Sequence, residues 1–297
     1  MAGVTRAEEA ARDILSRCDS GSISTAIALM ELLIETEDAR AAARLVRAHV
    51  GAFSAASGIL QLLESKPEGA ARVAAMLRSG MDRPPVNATV EEGIAFCRRL
   101  FDWSVTQSEE ASVALYSLGD ASILEAATRE IVEWLDVEGL LEIDRDALDI
   151  GCGIGRMEVA LAPRLRSITG IDVSPEMLKR ARVRCEGLSN VRLSSATGKD
   201  LAGFPARSFH LVLAVDVFPY LVQSALALAE THVEEAARVL HPGGQLVILN
   251  LSYRADRGRD IRDVTGFARA HGFEVAVGGT APFTLWDGLA FRLVRRG

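Results

Sequence analysis

The chain has 297 residues, 49% of them apolar, with a formal net charge of -7 and four cysteines. That length supports an ample core in one large or two modest domains, and an acidic balance without any basic block argues against broad contact with nucleic acid phosphates. Cys18, Cys97, Cys152 and Cys185 are widely spaced, with no CxxC and no clustered His, so neither a disulfide framework nor a metal site is indicated.

The opening MAGVTRAEEAARD has no apolar segment of the secretory kind, and a cytoplasmic location is expected. Residues 5–80 are rich in Ala, Leu, Glu and Arg, and breaks at Asp19-Ser20-Gly21, Thr36-Glu37-Asp38, Gly51 and Lys66-Pro67-Glu68 predict four or five short helices. Ile27, Leu29, Met30, Leu33 and Ile34 fall at helical spacing and are expected in a small bundle core. Pro84-Pro85, in the stretch Gly80 to Asn87, forbid helix continuation, so an N-terminal helical domain is assigned to 1–85 and a second domain to 86–297. The helical domain is a candidate homodimer contact.

Two helices follow, Thr89 to Trp103 and Ala121 to Leu135. Strands near 147–150, 168–172, 191–195, 209–215 and 245–251 then alternate with helices, which indicates a doubly wound, mostly parallel sheet covered on both faces. The helix after Gly155 is expected over 156–166, and Ser174-Pro175-Glu176 marks a further helix start. The apolar stretch 211–229 is broken by Asp216 and Pro219, so no membrane span is expected. Phe273–Val277 and Leu289–Val294 read as a closing hairpin, because their connection is too short for a helical crossover.

The chemistry concentrates in Ala147-Leu148-Asp149-Ile150-Gly151-Cys152-Gly153-Ile154-Gly155. An apolar strand runs into a loop whose glycines allow sharp turning and close approach of backbone to a ligand. Asp172 ends the next strand, 21 residues beyond Gly151, where a carboxylate can accept both hydroxyls of a ribose. The dinucleotide pattern fails: counted from Gly151 its third glycine is Arg156, and counted from Gly153 it stops at Ile154.

Glycines at alternate positions after an Asp resemble motif I of class I S-adenosylmethionine-dependent methyltransferases. Ser208 to Leu213 resembles that family's fourth strand, and Glu235 to Leu251 its late helix, Pro-Gly-Gly turn and fifth strand. The resemblance implies a Rossmann-like α/β fold with a seven-stranded sheet, preceded here by an all-α domain, and an enzyme using S-adenosylmethionine on a small molecule without a metal. It places Asp149, Gly151, Cys152 and Gly153 at the methionine tail, Asp172 at the ribose, Val173 and Met177 beside the adenine, and Thr197 and Gly198 in the turn facing the adenine amino group. Similar enzymes often carry an acid in that turn; Thr197 is either a weaker acceptor or an ordinary polar turn residue.

Asp216 lies at the exit of the fourth strand, facing sulfonium and substrate in the family. It is the first candidate for binding the tail amine, orienting substrate or acting as base, against a plain helix cap. Tyr220 offers an aromatic wall or hydroxyl, or core filling, and Tyr116 is the candidate lid residue. Segments 116–120, 250–254 and 283–287 are expected loops near the acceptor. His210 is expected at the far end of its strand. The same cofactor also allows transfer or cyclisation of its aminobutyrate chain, and a non-catalytic regulator is the reading of a different class; a nicotinamide oxidoreductase is a further rival.

Overall fold

The computed structural model describes residues 6–81, 83 and 88–297, which fall into two compact units. The domain boundary expected at Pro84-Pro85 lies outside the described residues.

The first unit takes the chain up to Arg83 together with Trp103–Glu130 and Phe283–Asp287. It opens with α1 (Arg6–Asp19), α2 (Thr25–Thr36), α3 (Ala39–Arg47), α4 (Ala55–Ser65) and α5 (Pro67–Arg78). Ser24 and Asp38 cap two of these, accepting the N–H of Ile27 at 3.1 Å and of Ala41 at 2.7 Å, and Pro67 begins α5 where a missing N–H is harmless. Ile27, Leu29 and Leu33 are fully buried, whereas Met30 is only half-buried and Ile34 is 45% exposed. The last two are four residues apart and share the outward face of α2, a helix too apolar for composition to tell its faces apart.

α6 (Val90–Gln107) runs longer than expected, and α7 (Glu109–Val113) follows it. The segment carrying Tyr116, expected outside regular structure, is a 3₁₀ turn over Leu115–Ser117 in which Tyr116 is buried. Asp120 then accepts the N–H groups of Ser122 and Ile123 at the start of α8 (Ala121–Val137). Phe283–Asp287 also belongs to the first unit: the N–H groups of Thr284 and Leu285 each donate to Glu130 at 3.0 Å, and Phe283 stacks on Trp286.

The second unit is built on β1 (Asp146–Ile150), β2 (Ser167–Asp172), β3 (Val191–Ser195), β4 (Phe209–Val215), β5 (Leu240–Leu249), β6 (Phe273–Thr280) and β7 (Ala290–Arg295), in the order β3-β2-β1-β4-β5-β7-β6. The first five are parallel, and β7 runs antiparallel between β5 and β6. The class I methyltransferase fold implied by the motifs is therefore the fold present, and the final pair is a hairpin as its short connection required. Around the sheet stand α9 (Arg156–Leu161), α10 (Pro175–Arg184), α11 (Phe218–Ser224), α12 (Leu226–Val239) and α13 (Arg257–Ala270). Leu148, Val212, Leu246 and Ile248 are fully buried and pack in one cluster with Phe218, Val233, Val239 and Phe291, each such side chain contributing about 1.5–3 kcal/mol.

Three boundaries differ from expectation. The helix after the glycine loop ends at Leu161 and tightens into a 3₁₀ turn, because Pro163 has no N–H to continue it. β5 begins at Leu240, which pairs with Phe209 before the pairing jumps to Leu211 with Gln245; the Pro-Gly-Gly stretch is an irregularity inside the strand. β5 stops at Leu249 because Asn250 takes φ +69°. No helix among the described residues is long and apolar enough to cross a membrane.

Candidate functional site

The sheet changes direction between β1 and β4, with β2 and β3 on one side and β5, β7 and β6 on the other. At such a switch point the ends of adjacent strands part and leave a crevice for a ligand. Three loops meet along this C-terminal edge.

The first is the glycine loop. Gly151, Gly153 and Gly155 have φ of +72°, +53° and +79°, conformations that side chains with a Cβ resist. The N–H groups of Gly151 and Cys152 donate to Ile171 O at 2.7 and 3.0 Å, and that of Gly153 to Asp172 Oδ2 at 2.9 Å. The other oxygen of Asp172 accepts Ser174 N–H at 2.8 Å. Asp172 thus ties the β1 and β2 exits together. Burial raises its pKa, and the charge of Asp102 pushes it the same way against the pull of the N–H groups. Cys152 is buried, its thiol held well above the ordinary range by burial and then by Glu158. It shapes the loop from within, its carbonyl accepting Gly155 N–H at 3.0 Å. Val173 touches Gly198 across the β2 and β3 ends, and Met177 is buried in the first turn of α10.

Beneath the loop lies a carboxyl pair of which only Asp149 was visible in the sequence. Asp149 is 2% exposed and Glu158 fully buried, and no donor among the described residues reaches Asp149 Oδ1 or either Glu158 oxygen. Gly170 makes the space, since a Cβ there would collide with Glu158. Burial, first of all, lifts Asp149 to about 7 and Glu158 well above the carboxylate range; the Asp149 charge lifts Glu158 further, while the hydrogen bond with protonated Glu158 pulls Asp149 back down, so the proton is held on the Glu158 side of the pair. The folded apo-protein therefore holds protons that the unfolded chain releases above its ordinary carboxylate pKa. Its stability should fall as pH rises from about 4 through 7. Glu158→Gln supplies an amide donor to Asp149 and removes the competing charge. Its melting temperature should exceed that of wild type by about 3–8 °C at pH 8 and match it at pH 5. Parallel melting curves for the two proteins across that range would refute the proton held there.

α6 is the element whose role the sequence did not reveal. Its start is a capping box: Thr89 Oγ1 accepts Glu92 N–H at 3.2 Å, and the Glu92 carboxylate accepts Thr89 N–H at 2.8 Å. From there the helix crosses the strand ends. Lys199 pairs with Glu91 at 2.8 Å, Ile94 closes on Gly198, and Phe101 meets Tyr220 edge to face at 5.0 Å. Asp102 Oδ1 accepts Ser174 Oγ–H at 2.6 Å and Glu176 N–H at 3.2 Å, bracing the segment that holds Asp172. Ser174 accepts Met177 N–H at 3.1 Å as the helix cap and is fully buried, so its hydroxyl proton needs an acceptor, which the sequence did not identify as Asp102. Thr197 Oγ1 accepts Lys199 N–H at 3.1 Å on an exposed turn, the bond of a polar turn residue.

At the β4 exit Asp216 takes φ +59°, and its N–H donates to Leu249 O at 2.8 Å. Its Oδ1 accepts Asn250 Nδ2–H and its Oδ2 accepts Tyr253 Oη–H, both at 2.8 Å. Tyr253 stands edge to face with Tyr220, centroids 5.8 Å apart. Tyr253 is 57% exposed; desolvation of its hydroxyl, then the Asp216 charge, raises its pKa well above the phenol range. The 250–254 loop is pinned from behind by Arg254, which pairs with Asp260 at 2.5 Å and Asp263 at 2.7 Å. The structure thus brings together Asp149, the glycine loop, Asp172, Val173, Met177, Gly198, Asp216 and Tyr220 in the second unit. Tyr116 belongs to the first unit. His210 lies at the start of β4, its Nδ1 accepting Asp146 N–H at 3.2 Å. Among the described residues no group of three or more His, Cys, Asp or Glu is arranged to hold a metal ion.

Residues 148–248 match the family described as a methyltransferase domain. Demethylmenaquinone methyltransferase of Tropheryma whipplei (strain Twist) is 31% identical over 158 residues, covering 52% of this chain and 59% of that protein; the chain spans about three fifths of that relative's length. Among solved structures, phosphoethanolamine N-methyltransferase 1 of Haemonchus contortus aligns over 70% of this chain and 50% of its own, with TM-score 0.57 and 17% identity. Magnesium protoporphyrin IX methyltransferase from Synechocystis PCC 6803 aligns over 68% and 97%, with TM-score 0.50 and 19% identity. At those identities the structures speak for the fold, and the sequence match speaks for the family. With the alternate-glycine loop, Asp172 at the end of β2 and the sheet order in place, residues 148–248 carry a methyltransferase domain of the class I S-adenosylmethionine-dependent kind.

Proposed function

We propose that the chain transfers the methyl group of S-adenosylmethionine to a small molecule. The observation that carries this reading is the glycine loop bound to Asp172 at the switch point, beside an independent carboxylate, Asp216, at the next strand exit. The residues fit the cofactor. Loop glycines at positive φ let the backbone come close to its amino-acid tail, Asp172 ends β2 where a carboxylate can accept ribose hydroxyls, and Val173 and Ile94, packed at Gly198, offer apolar side chains to a flat base. When bound, the cofactor supplies an electrophilic methyl on a sulfonium.

What the chain contributes is alignment and exclusion of water. Asp172 would hold the ribose end and, with the loop it braces, would set the cofactor for alignment with an acceptor; good alignment alone is worth several kcal/mol of barrier. Asp216 is held by Asn250 and Tyr253, ready to orient a nucleophile or take its proton. Demethylmenaquinone, phosphoethanolamine and magnesium protoporphyrin in the relatives' names indicate small acceptors.

The test is incubation of the purified chain with methyl-labelled S-adenosylmethionine and the low-molecular-weight fraction of a cell extract. Label is expected in a small product with release of S-adenosylhomocysteine. Label retained in methylthioadenosine would instead mean aminobutyrate chemistry, and binding of S-adenosylhomocysteine without turnover of any extract would mean a sensor.

A further inference from the structure

We propose that the acceptor is an amine, recognised as a cation by Asp216 together with the rings of Tyr220, Tyr253 and Phe101; this rests on the methyl-transfer reading above. The four side chains come from three separate stretches of chain and are linked in series by contact: Phe101 to Tyr220, Tyr220 to Tyr253, and Tyr253 to Asp216. Phe101 stands edge to face with Tyr220, and Tyr220 edge to face with Tyr253, with interplanar angles of 75° and 87°. Successive perpendicular rings form the walls of a corner, not a flat stack, and a corner of ring faces favours a compact cation over a planar aromatic guest. Tyr253 donates its hydroxyl proton to Asp216, which leaves the carboxylate against the same corner.

The position is that of the acceptor. Val217, the next residue after Asp216, lies against Gly151 in the glycine loop, so this corner adjoins the loop assigned to the methionine end of the cofactor. It is also built to stay in place: Asn250 N–H donates to Leu289 O at 2.7 Å, and Arg254 anchors the loop behind Tyr253.

The charge follows the reaction. The bound ammonium first gives up one N–H proton to solvent by way of the Asp216 carboxylate, and the freed nitrogen lone pair then forms the new C–N bond while the C–S bond breaks, its electron pair staying on sulfur. Positive charge moves from sulfur to nitrogen, and the ammonium then loses one N–H proton to solvent if it is to be methylated again. A fixed carboxylate and ring faces at the nitrogen stabilise that charge more in the transition state than in the neutral amine. An anionic oxygen nucleophile at the same spot would meet repulsion.

The experiment has a binding arm and a turnover arm, both on the full chain saturated with S-adenosylhomocysteine or supplied with S-adenosylmethionine. Choline and its uncharged isostere 3,3-dimethylbutan-1-ol are titrated by calorimetry. Choline should bind about 10-fold more tightly. Asp216→Asn and Tyr220→Leu should each remove most of that preference, while Tyr253→Phe, which keeps the ring, should retain part of it. In turnover, primary and secondary alkylamines should be methylated in preference to phenols and carboxylic acids. Equal affinity for the two isosteres, or methylation of phenols alone, would overturn the amine assignment and leave methyl transfer standing. Failure of S-adenosylhomocysteine to bind at all would overturn the methyl-transfer reading and this assignment with it.

Discussion

Asp172→Asn should weaken binding of S-adenosylhomocysteine by about 10²- to 10³-fold while the chain still folds. The carboxylate accepts Gly153 N–H on one oxygen and Ser174 N–H on the other. An asparagine keeps one acceptor and turns the other into a donor, so one of those N–H groups faces another N–H and one ribose hydroxyl loses its partner. Two charge-assisted hydrogen bonds at about 1.5–3 kcal/mol each give a loss of that size. Titration calorimetry measures it, with circular dichroism confirming the fold; a change under threefold would remove Asp172 from the cofactor site. pH supplies an independent check. Because burial raises the pKa of Asp172, the wild type should lose affinity on acidification at a higher pH than an ordinary aspartate would dictate. The asparagine variant should lack that component.

Gly151→Ala should be the most damaging small change in the loop. At φ +72° an added Cβ costs about 1–2 kcal/mol, and the same Cβ would run into Val217, adding about 1–3 kcal/mol of overlap. The sum, about 2–5 kcal/mol, corresponds to a fall of roughly 5–15 °C in melting temperature for a chain of this size. The two causes separate in a double-mutant cycle. Val217→Ala alone should destabilise by opening space, yet in the Gly151→Ala background it should be neutral or restoring, because it clears the overlap and leaves only the backbone strain. Simple additivity of the two costs in denaturant melts would show that the Val217 contact is not what forbids a side chain at 151.

The parts of the site legible in the sequence were those in which one stretch of chain carries both the geometry and the chemistry. The glycine loop announced its own backbone conformation, Asp172 its place at a strand end, and Ser174-Pro175 the start of a helix. Asp216 stood out because a carboxylate between apolar residues at a strand exit needs partners. The partners themselves were not legible. Asn250 and Tyr253 were visible only as part of a loop near the acceptor, and nothing local says that both of their side chains reach Asp216. Glu158 looked like any polar residue in the first turn of a helix, and only the missing Cβ of Gly170, two elements away, shows that it points inward. The stretch around Tyr116 reads as a loop for the opposite reason: its neighbours mix aromatic and polar groups, but the left-handed Leu118 and Gly119 close a buried 3₁₀ turn there.

By itself the sequence determined the succession of strands and helices, the switch-point loop and the family, because hydrophobic period, helix caps and glycine conformations are set by residues close together in the chain. Only the tertiary structure decided that α6 crosses the strand ends, that Asp102 braces Ser174, that Asp149 and Glu158 are buried together, and that three rings from distant segments meet near one carboxylate. Those are meetings of residues 9 to 152 positions apart, and they depend on how the sheet orders its strands, which no local pattern encodes.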